Sequence, residues 1–203
     1  MKIRVVGFSV LGAAALVAGG LALFAFDFPR MSNNEMAPGL RSRDLLVACR
    51  VCGSPKRGDV VFFAPPDTPE QLSARRVIAV PGDKVQIKKG EIFVNDRPLF
   101  DEKAGQVNLE GIDAIDDVAR LFDQFTETNG NHRYTVIKDA RTPITGERAA
   151  ETLTDEYFVL ADRRTFARDS RAYGGIPRNS IRSIVKRVIS AGDRDAARQS
   201  WLP

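Results

Sequence analysis

The chain has a single histidine, two cysteines and one tryptophan in 203 residues. Two thiolates cannot complete a tetrahedral zinc site, and no histidine lies near Cys49 or Cys52 in sequence, so neither a metal nor a cofactor is expected. His132, in Asn129-Gly130-Asn131-His132, reads as an exposed turn residue. An excess of one charge is missing too. Lys2 and Arg4 are two of the 30 basic residues, against 26 acidic ones, so the rest of the chain is nearly balanced. That balance gives no argument for a nucleic-acid partner. No internal repeat or low-complexity tract stands out. A content of 43% hydrophobic and 28% charged residues marks a globular chain and not a disordered one.

One long apolar run is present. Val5 to Phe26 carries no charge over 22 residues, enough to cross a hydrocarbon core as a helix. Lys2 and Arg4 precede it and no basic residue follows until Arg30. The positive-inside bias then puts the N-terminus in the cytoplasm and everything after Asp27 outside. A cleaved signal peptide is the competing reading, but the small residues Ala18-Gly19-Gly20 sit within the run and not after it. A retained anchor in membrane lipid is therefore expected over residues 1–27, single-pass in the cell membrane. On the outer side, the C-x-x-C pair Cys49 and Cys52 could close a small disulfide or remain two thiols. The pair follows a strand-like segment, whereas a thioredoxin-like motif should open a helix.

Beyond the anchor the chain is mainly β. Leu45–Ala48, Val60–Ala64, Arg76–Val80, Lys84–Ile87, Glu91–Val94, Tyr134–Lys138, Tyr157–Ala161 and Ile181–Ile189 are rich in β-branched and aromatic residues. Pro81-Gly82-Asp83, Lys89-Gly90 and Asn95-Asp96 supply turn chemistry between them. A coiled antiparallel sheet or partial barrel follows. From Leu109 to Phe125 the spacing changes: Leu109, Ile112, Ile115, Val118, Leu121, Phe122 and Phe125 recur every three or four positions, with Asp113, Asp116, Asp117 and Asp123 between. This pattern predicts an amphipathic helix packed on the sheet, inserted at about residues 108–126. The organisation is thus an anchor (1–27), one β domain (28–191) and a polar tail (192–203).

Four segments carry the chemistry: Glu35-Met36-Ala37-Pro38, Arg57-Gly58-Asp59-Val60-Val61, the run from Arg75 to Val85, and Asp169-Ser170-Arg171. Their order and spacing resemble those of the bacterial type I signal peptidases, a family of Ser/Lys endopeptidases, over nearly the whole chain. The resemblance implies one membrane helix, a β domain outside, and a peptide groove facing the bilayer. It also assigns roles. The family pattern Ser-x-Ser-Met-x-Pro-Thr-Leu falls on Asn33-Asn34-Glu35-Met36-Ala37-Pro38-Gly39-Leu40, so Glu35 occupies the nucleophile position and Asn33 that of an oxyanion-hole hydroxyl. Ser32 stands three residues away, about 10 Å along an extended strand. The pattern Lys-Arg-Val-x-Gly-x-Pro-Gly-Asp falls on Arg75 to Asp83 and puts Arg75 at the general base. The pattern Gly-Asp-Asn-Arg-x-x-Ser-x-Asp-Ser-Arg falls on Ala161 to Arg171 and puts Ala167 where a hydroxyl would orient the lysine. Pro38, Gly58, Asp59, Gly82, Asp83, Asp162, Arg164, Asp169, Ser170 and Arg171 match the scaffold of these motifs. Asn33, Asn34, Glu35, Met36, Ala74 and Arg75 would line the groove.

These substitutions remove the reaction. A serine hydroxyl needs a neighbour to take its proton, and a guanidinium stays protonated and cannot do so. Loss of a nucleophile or its base from such a unit costs about 10⁴ to 10⁶ in rate. No catalytic residue is therefore expected. Glu35 and Arg75 should instead meet as a carboxylate–guanidinium pair, bidentate if the geometry allows. The leading reading is a non-catalytic pseudopeptidase that binds exported peptides or a secretion partner. One alternative is an active peptidase that uses Ser32 or Ser170 with a lysine such as Lys56, Lys84, Lys88 or Lys186. Another is a structural subunit with a closed groove. The cluster Arg163, Arg164 and Arg168 reads as a solvated or salt-bridged loop, with anionic lipid as an alternative contact.

Overall fold

The computed structural model describes residues 24–109, 120–142, 144–165 and 167–190. In chain order its first strands are β1 (Phe26–Asp27), β2 (Leu45–Cys49), β3 (Val60–Phe63), β4 (Ser73–Ala79), β5 (Lys84–Lys88), β6 (Glu91–Val94) and β7 (Arg97–Pro98). There follow β8 (Phe100–Leu109), β9 (Arg120–Asn129), β10 (His132–Asp139), β11 (Arg148–Thr152), β12 (Glu156–Leu160), a one-turn helix α1 (Ser170–Tyr173), β13 (Ile176–Pro177) and β14 (Ile181–Ser190). They form three antiparallel sheets, in the orders β1-β2-β14-β3-β4-β12-β13, β10-β9-β8 and β11-β5-β6-β7. All eight segments that the sequence marks as strands are strands.

The large sheet is covered on both sides. Successive side chains of a strand alternate faces, and β3, with four buried residues, shows it. Val60 and Phe62 pack with Met31, Met36, Leu40 and Leu46. Val61 and Phe63 pack with Val77, Val159, Ile176 and Ile184. A third cluster around Ile78, Val85, Val136 and Phe158 joins this sheet to the smaller ones. Fully burying each such side chain contributes about 1.5–3 kcal/mol, so the strand that carries Arg75 is held from both sides.

Turns are set by the motif residues. Gly82 has φ +90°, a left-handed conformation that favours glycine. The Asp83 carboxylate beside it accepts from Val80 N at 2.9 Å and from Asn95 Nδ2 at 2.9 Å. Cys49 and Cys52 are joined by a disulfide across the turn that leaves β2, which resolves the choice the sequence left open.

The helix expected at about 108–126 needs correction at both ends. Leu109 closes β8 and Arg120 to Phe125 open β9, while residues 110–119 lie outside the described residues. Val107 lies opposite Phe122 in the β8–β9 hairpin, and Val107, Leu109 and Phe122 pack in one cluster with Ala37 and Ile137. The spacing of two between Val107 and Leu109 was the stronger signal. The expected anchor and the polar tail lie outside the described residues, apart from residues 24–27. Among the described residues no helix is long and apolar enough to cross a membrane.

Candidate functional site

The segment between β1 and β2 sets Glu35 in place from its neighbours. Met36 and Ala37 are fully buried. Ala37 N donates to Asn34 O at 3.1 Å and Leu40 N to Met36 O at 2.9 Å, so the chain turns tightly here. Asn33 Oδ1 accepts from Glu35 N at 3.1 Å, and Glu35 O accepts from Arg163 N at 2.9 Å. The Glu35 side chain is thereby presented toward β4, where Arg75 stands opposite Val61 of β3.

Glu35 and Arg75 meet. Arg75 Nη2 lies 2.9 Å from Glu35 Oε2, and Asn33 Nδ2 donates to the same oxygen at 2.9 Å. The contact is single and not bidentate. The rest of the guanidinium is spent on carbonyls: Nε and Nη2 reach Arg168 O at 3.1 and 2.6 Å, and Nη1 reaches Ala74 O at 2.7 Å. The Arg75 side chain is 3% exposed and that of Glu35 29%. Ala167 is half-buried and adds no hydroxyl to the loop, and Arg168 beyond it pairs with Asp67 at 2.6 Å. Of the remaining residues expected at the groove, Asn33 is exposed, Asn34 is half-buried, and Met36 and Ala74 are buried.

This arrangement is an ion pair, with neither a hydroxyl nor a lysine at positions 35 and 75. Ser170 is fully buried and its Oγ accepts from Val159 N at 2.9 Å. Ser32 is exposed. Among the described residues no lysine is buried: Lys56 and Lys88 are exposed, Lys186 is half-buried, and Lys84 pairs with Asp96 at 2.8 Å. Among the described residues there is also no group of three His, Cys, Asp or Glu side chains able to hold a metal.

Around this pair lies a buried ionic scaffold. Arg76 grips Asp162 by two bonds, Nε to Oδ1 at 2.8 Å and Nη2 to Oδ2 at 2.6 Å. It also donates Nη1 to Gly58 O at 2.8 Å and lies over the Tyr134 ring at 4.1 Å. Arg171 holds Asp169 through Nε at 2.8 Å and Nη2 at 2.7 Å. Asp169 also accepts from Ala161 N at 3.1 Å. Arg164 pairs with Glu127 of β9, and both are buried. Burial pushes the Glu127 carboxyl above its ordinary range, more than Arg164 beside it pulls it down. Burial raises the Tyr134 hydroxyl as well. The Asp83 carboxyl lies below its usual value: burial acts against this, but Arg57, Val80 N and Asn95 together outweigh it.

One reading from sequence is corrected here. His132 is half-buried at the start of β10. A Cβ on Gly58, which has φ +89°, would lie 2.5 Å from its ring. In the cluster Arg163, Arg164 and Arg168 the salt-bridged alternative holds, with Arg164 paired to Glu127 and Arg168 to Asp67, while Arg163 is buried and lies over the Phe122 ring at 5.3 Å. Glu127 escaped the sequence reading because it sits in a polar run, Thr126-Glu127-Thr128-Asn129, with no motif around it. A cavity of about 670 Å³ opens over Glu127 and Arg164, and neither Glu35 nor Arg75 lines it.

Known proteins place this geometry. The profile of the family described as signal peptidase, peptidase S26, matches residues 4–190. A signal peptidase I of Leptolyngbya laminosa is 22% identical over 192 residues, covering 89% of this chain and 77% of that protein. Signal peptidase I of Rickettsia prowazekii is 30% identical over 127 residues, 58% of this chain, and that of Rickettsia canadensis 32% over 126. The chain spans under half the length of both Rickettsia proteins, 45% and 44%. A crystal structure of a signal peptidase I from Enterococcus faecalis V583 overlaps 65% of this chain and 97% of its own, with 20% identity and a TM-score of 0.35. With the family profile running through the segments of Glu35, Arg75 and Asp169, this chain belongs to the signal peptidase, peptidase S26, family.

Proposed function

We propose that this protein is a membrane-anchored member of the family without peptidase activity, which binds exported polypeptides or a secretion partner on the outer side of the cell membrane. The observation that carries this reading is the ion pair between Glu35 and Arg75, 2.9 Å apart where nucleophile and base would stand. Neither group is the one the family reaction uses: the guanidinium cannot accept a proton, and position 35 carries a carboxylate in place of the serine hydroxyl. The uncharged run from Val5 to Phe26 supports the anchor. The Cys49–Cys52 disulfide supports an oxidising compartment for the β domain.

A strand-lined groove would take an extended peptide by adding it to a sheet edge. The burial of Met36, Ala74 and Arg75 favours a second reading, a structural subunit whose groove is closed. The deciding experiment compares cleavage of a signal-peptide substrate in detergent by the wild type and by the triple variant Glu35→Ser, Arg75→Lys, Ala167→Ser. A silent wild type with a revived variant is the expected result. Cleavage by the wild type sinks the non-catalytic reading. Silence from both favours the closed groove.

A further inference from the structure

We infer that the Glu35 site receives the free α-ammonium group of a polypeptide, the new N-terminus of a chain already cut, and not an intact peptide bond. This inference rests on the non-catalytic reading above. Two asymmetries of the ion pair carry it. The first is access. The Arg75 side chain is 3% exposed and that of Glu35 29%, so a ligand meets the acid while the base stays behind it. The guanidinium is turned inward, its donors held by Arg168 O and Ala74 O. Of the two charged groups, the carboxylate is the one an arriving donor can reach.

The second asymmetry lies within the carboxylate. Oε2 accepts from both Arg75 and Asn33, whereas Oε1 accepts from no group among the described residues. One oxygen is therefore left for a donor that arrives from outside. The carboxylate is also fixed in direction by Asn33, by Arg163 N on its own carbonyl, and by the buried Met36 and Ala37 that follow it. Such a group binds without first being ordered, which saves the entropy of immobilising it.

The position selects which cation. On the family resemblance, Glu35 stands where a nucleophile would meet the carbonyl carbon of a scissile bond, and the atom bonded to that carbon is the leaving nitrogen. In an uncut chain that nitrogen is a neutral amide, and the carbonyl oxygen beside it faces a half-buried carboxylate. In a cut chain it is an α-amine with a pKa of about 7.7–8.0, protonated at neutral pH and able to donate three hydrogen bonds. Charge and donor count thus both favour the cut product. The groove would hold the mature end of an exported protein after another enzyme has removed its leader.

The test titrates the full-length protein in detergent with three hexapeptide amides by calorimetry. One begins with a free α-amino alanine, the second is its N-acetylated twin, and the third is the acetylated twin with lysine at the first position. The free amine should bind about tenfold more tightly than the acetylated twin, the value of one charge-assisted hydrogen bond. That preference should fade above about pH 8 as the ammonium loses its proton, and Glu35→Gln should abolish it. Three outcomes overturn the inference: no difference between free and acetylated peptides, binding to none of them included; equal binding of the lysine peptide; or a preference that survives in Glu35→Gln. Incubation with an uncut leader-peptide substrate runs in parallel. Cleavage there overturns the non-catalytic reading, whereas no cleavage together with no amine preference overturns this inference alone.

Discussion

Arg75 and Arg76 are neighbours on β4, yet they face different surroundings and make different kinds of bond. Arg76 holds Asp162 by two parallel hydrogen bonds, with both side chains buried. Arg75 touches its acid once, and that acid is partly open to solvent. Burying two charges is expensive unless geometry is good and the remaining donors are satisfied. Arg76 meets this with Asp162, Gly58 O and the Tyr134 ring. Arg75 meets it with backbone carbonyls and needs Glu35 much less. The two residues thus contrast a buried, two-bond pair with a single-contact one, whose guanidinium is held by carbonyls of β4 and of the loop before α1.

The largest expected effect tests the Arg76 side of this contrast. Asp162→Ala leaves a buried guanidinium without its acid, and should cost about 3–5 kcal/mol of stability, seen in a denaturant titration. A loss below about 1 kcal/mol would mean that Arg76 relies on Gly58 O and Tyr134 alone, and the contrast with Arg75 would collapse. Gly58→Ala should come next, at about 1–3 kcal/mol. Its Cβ would lie 2.5 to 2.8 Å from three atoms of His132, on a backbone with φ +89°. Pairing it with His132→Ala should recover the steric part and leave the backbone part. Complete recovery would show that φ costs nothing here.

Glu35→Gln sharpens the other side. A partly exposed pair contributes little once side-chain entropy and solvent screening are counted, and the amide keeps its oxygen for Asn33 and Arg75. Stability should fall by less than about 1 kcal/mol in the same titration. A loss as large as that of Asp162→Ala would make the former dyad a structural pair, and its charge could no longer be read as available for a ligand.

Much of this contrast is legible in the sequence. The motif positions 35, 75 and 167 are fixed by matching residues on either side, and the pairing of Glu35 with Arg75 follows from the family resemblance, in which those two positions meet. The strands from β2 to β6 are legible because β-branched residues alternate between glycine and proline turns. The first half of β9 reads as helix because the apolar residues from Leu109 to Phe125 fit a period near 3.6, and cross-strand pairs such as Val107 with Phe122 are invisible to a local pattern. Glu127 was illegible for a related reason. Its importance comes from Arg164, far away in sequence, and nothing local distinguishes it from Thr126 or Thr128. The single contact between Glu35 and Arg75 was hidden too, because the carbonyl that takes the other edge of the guanidinium carries no side-chain signature.

The smallest effect expected is on the shape of the pH profile, and it divides the scaffold carboxylates by sign. The Asp83 carboxyl is held below its unfolded value of 3.8 by Arg57, Val80 N and Asn95. It therefore contributes stability above that value, and the contribution is lost as pH falls through its lower folded value. Glu127 behaves in the opposite way. Burial raises it above its unfolded value of 4.5, so its contribution is complete below that value and is lost as pH rises through the folded one. Asp83→Asn should flatten the acid limb of a stability profile measured from pH 3 to 8, and Glu127→Gln should flatten the decline above about pH 4.5. If Glu127→Gln steepened that decline, the attraction of Arg164 would outweigh burial. The Arg164–Glu127 pair would then join Arg76–Asp162 as a source of stability at neutral pH, in contrast to the half-exposed Glu35–Arg75 contact.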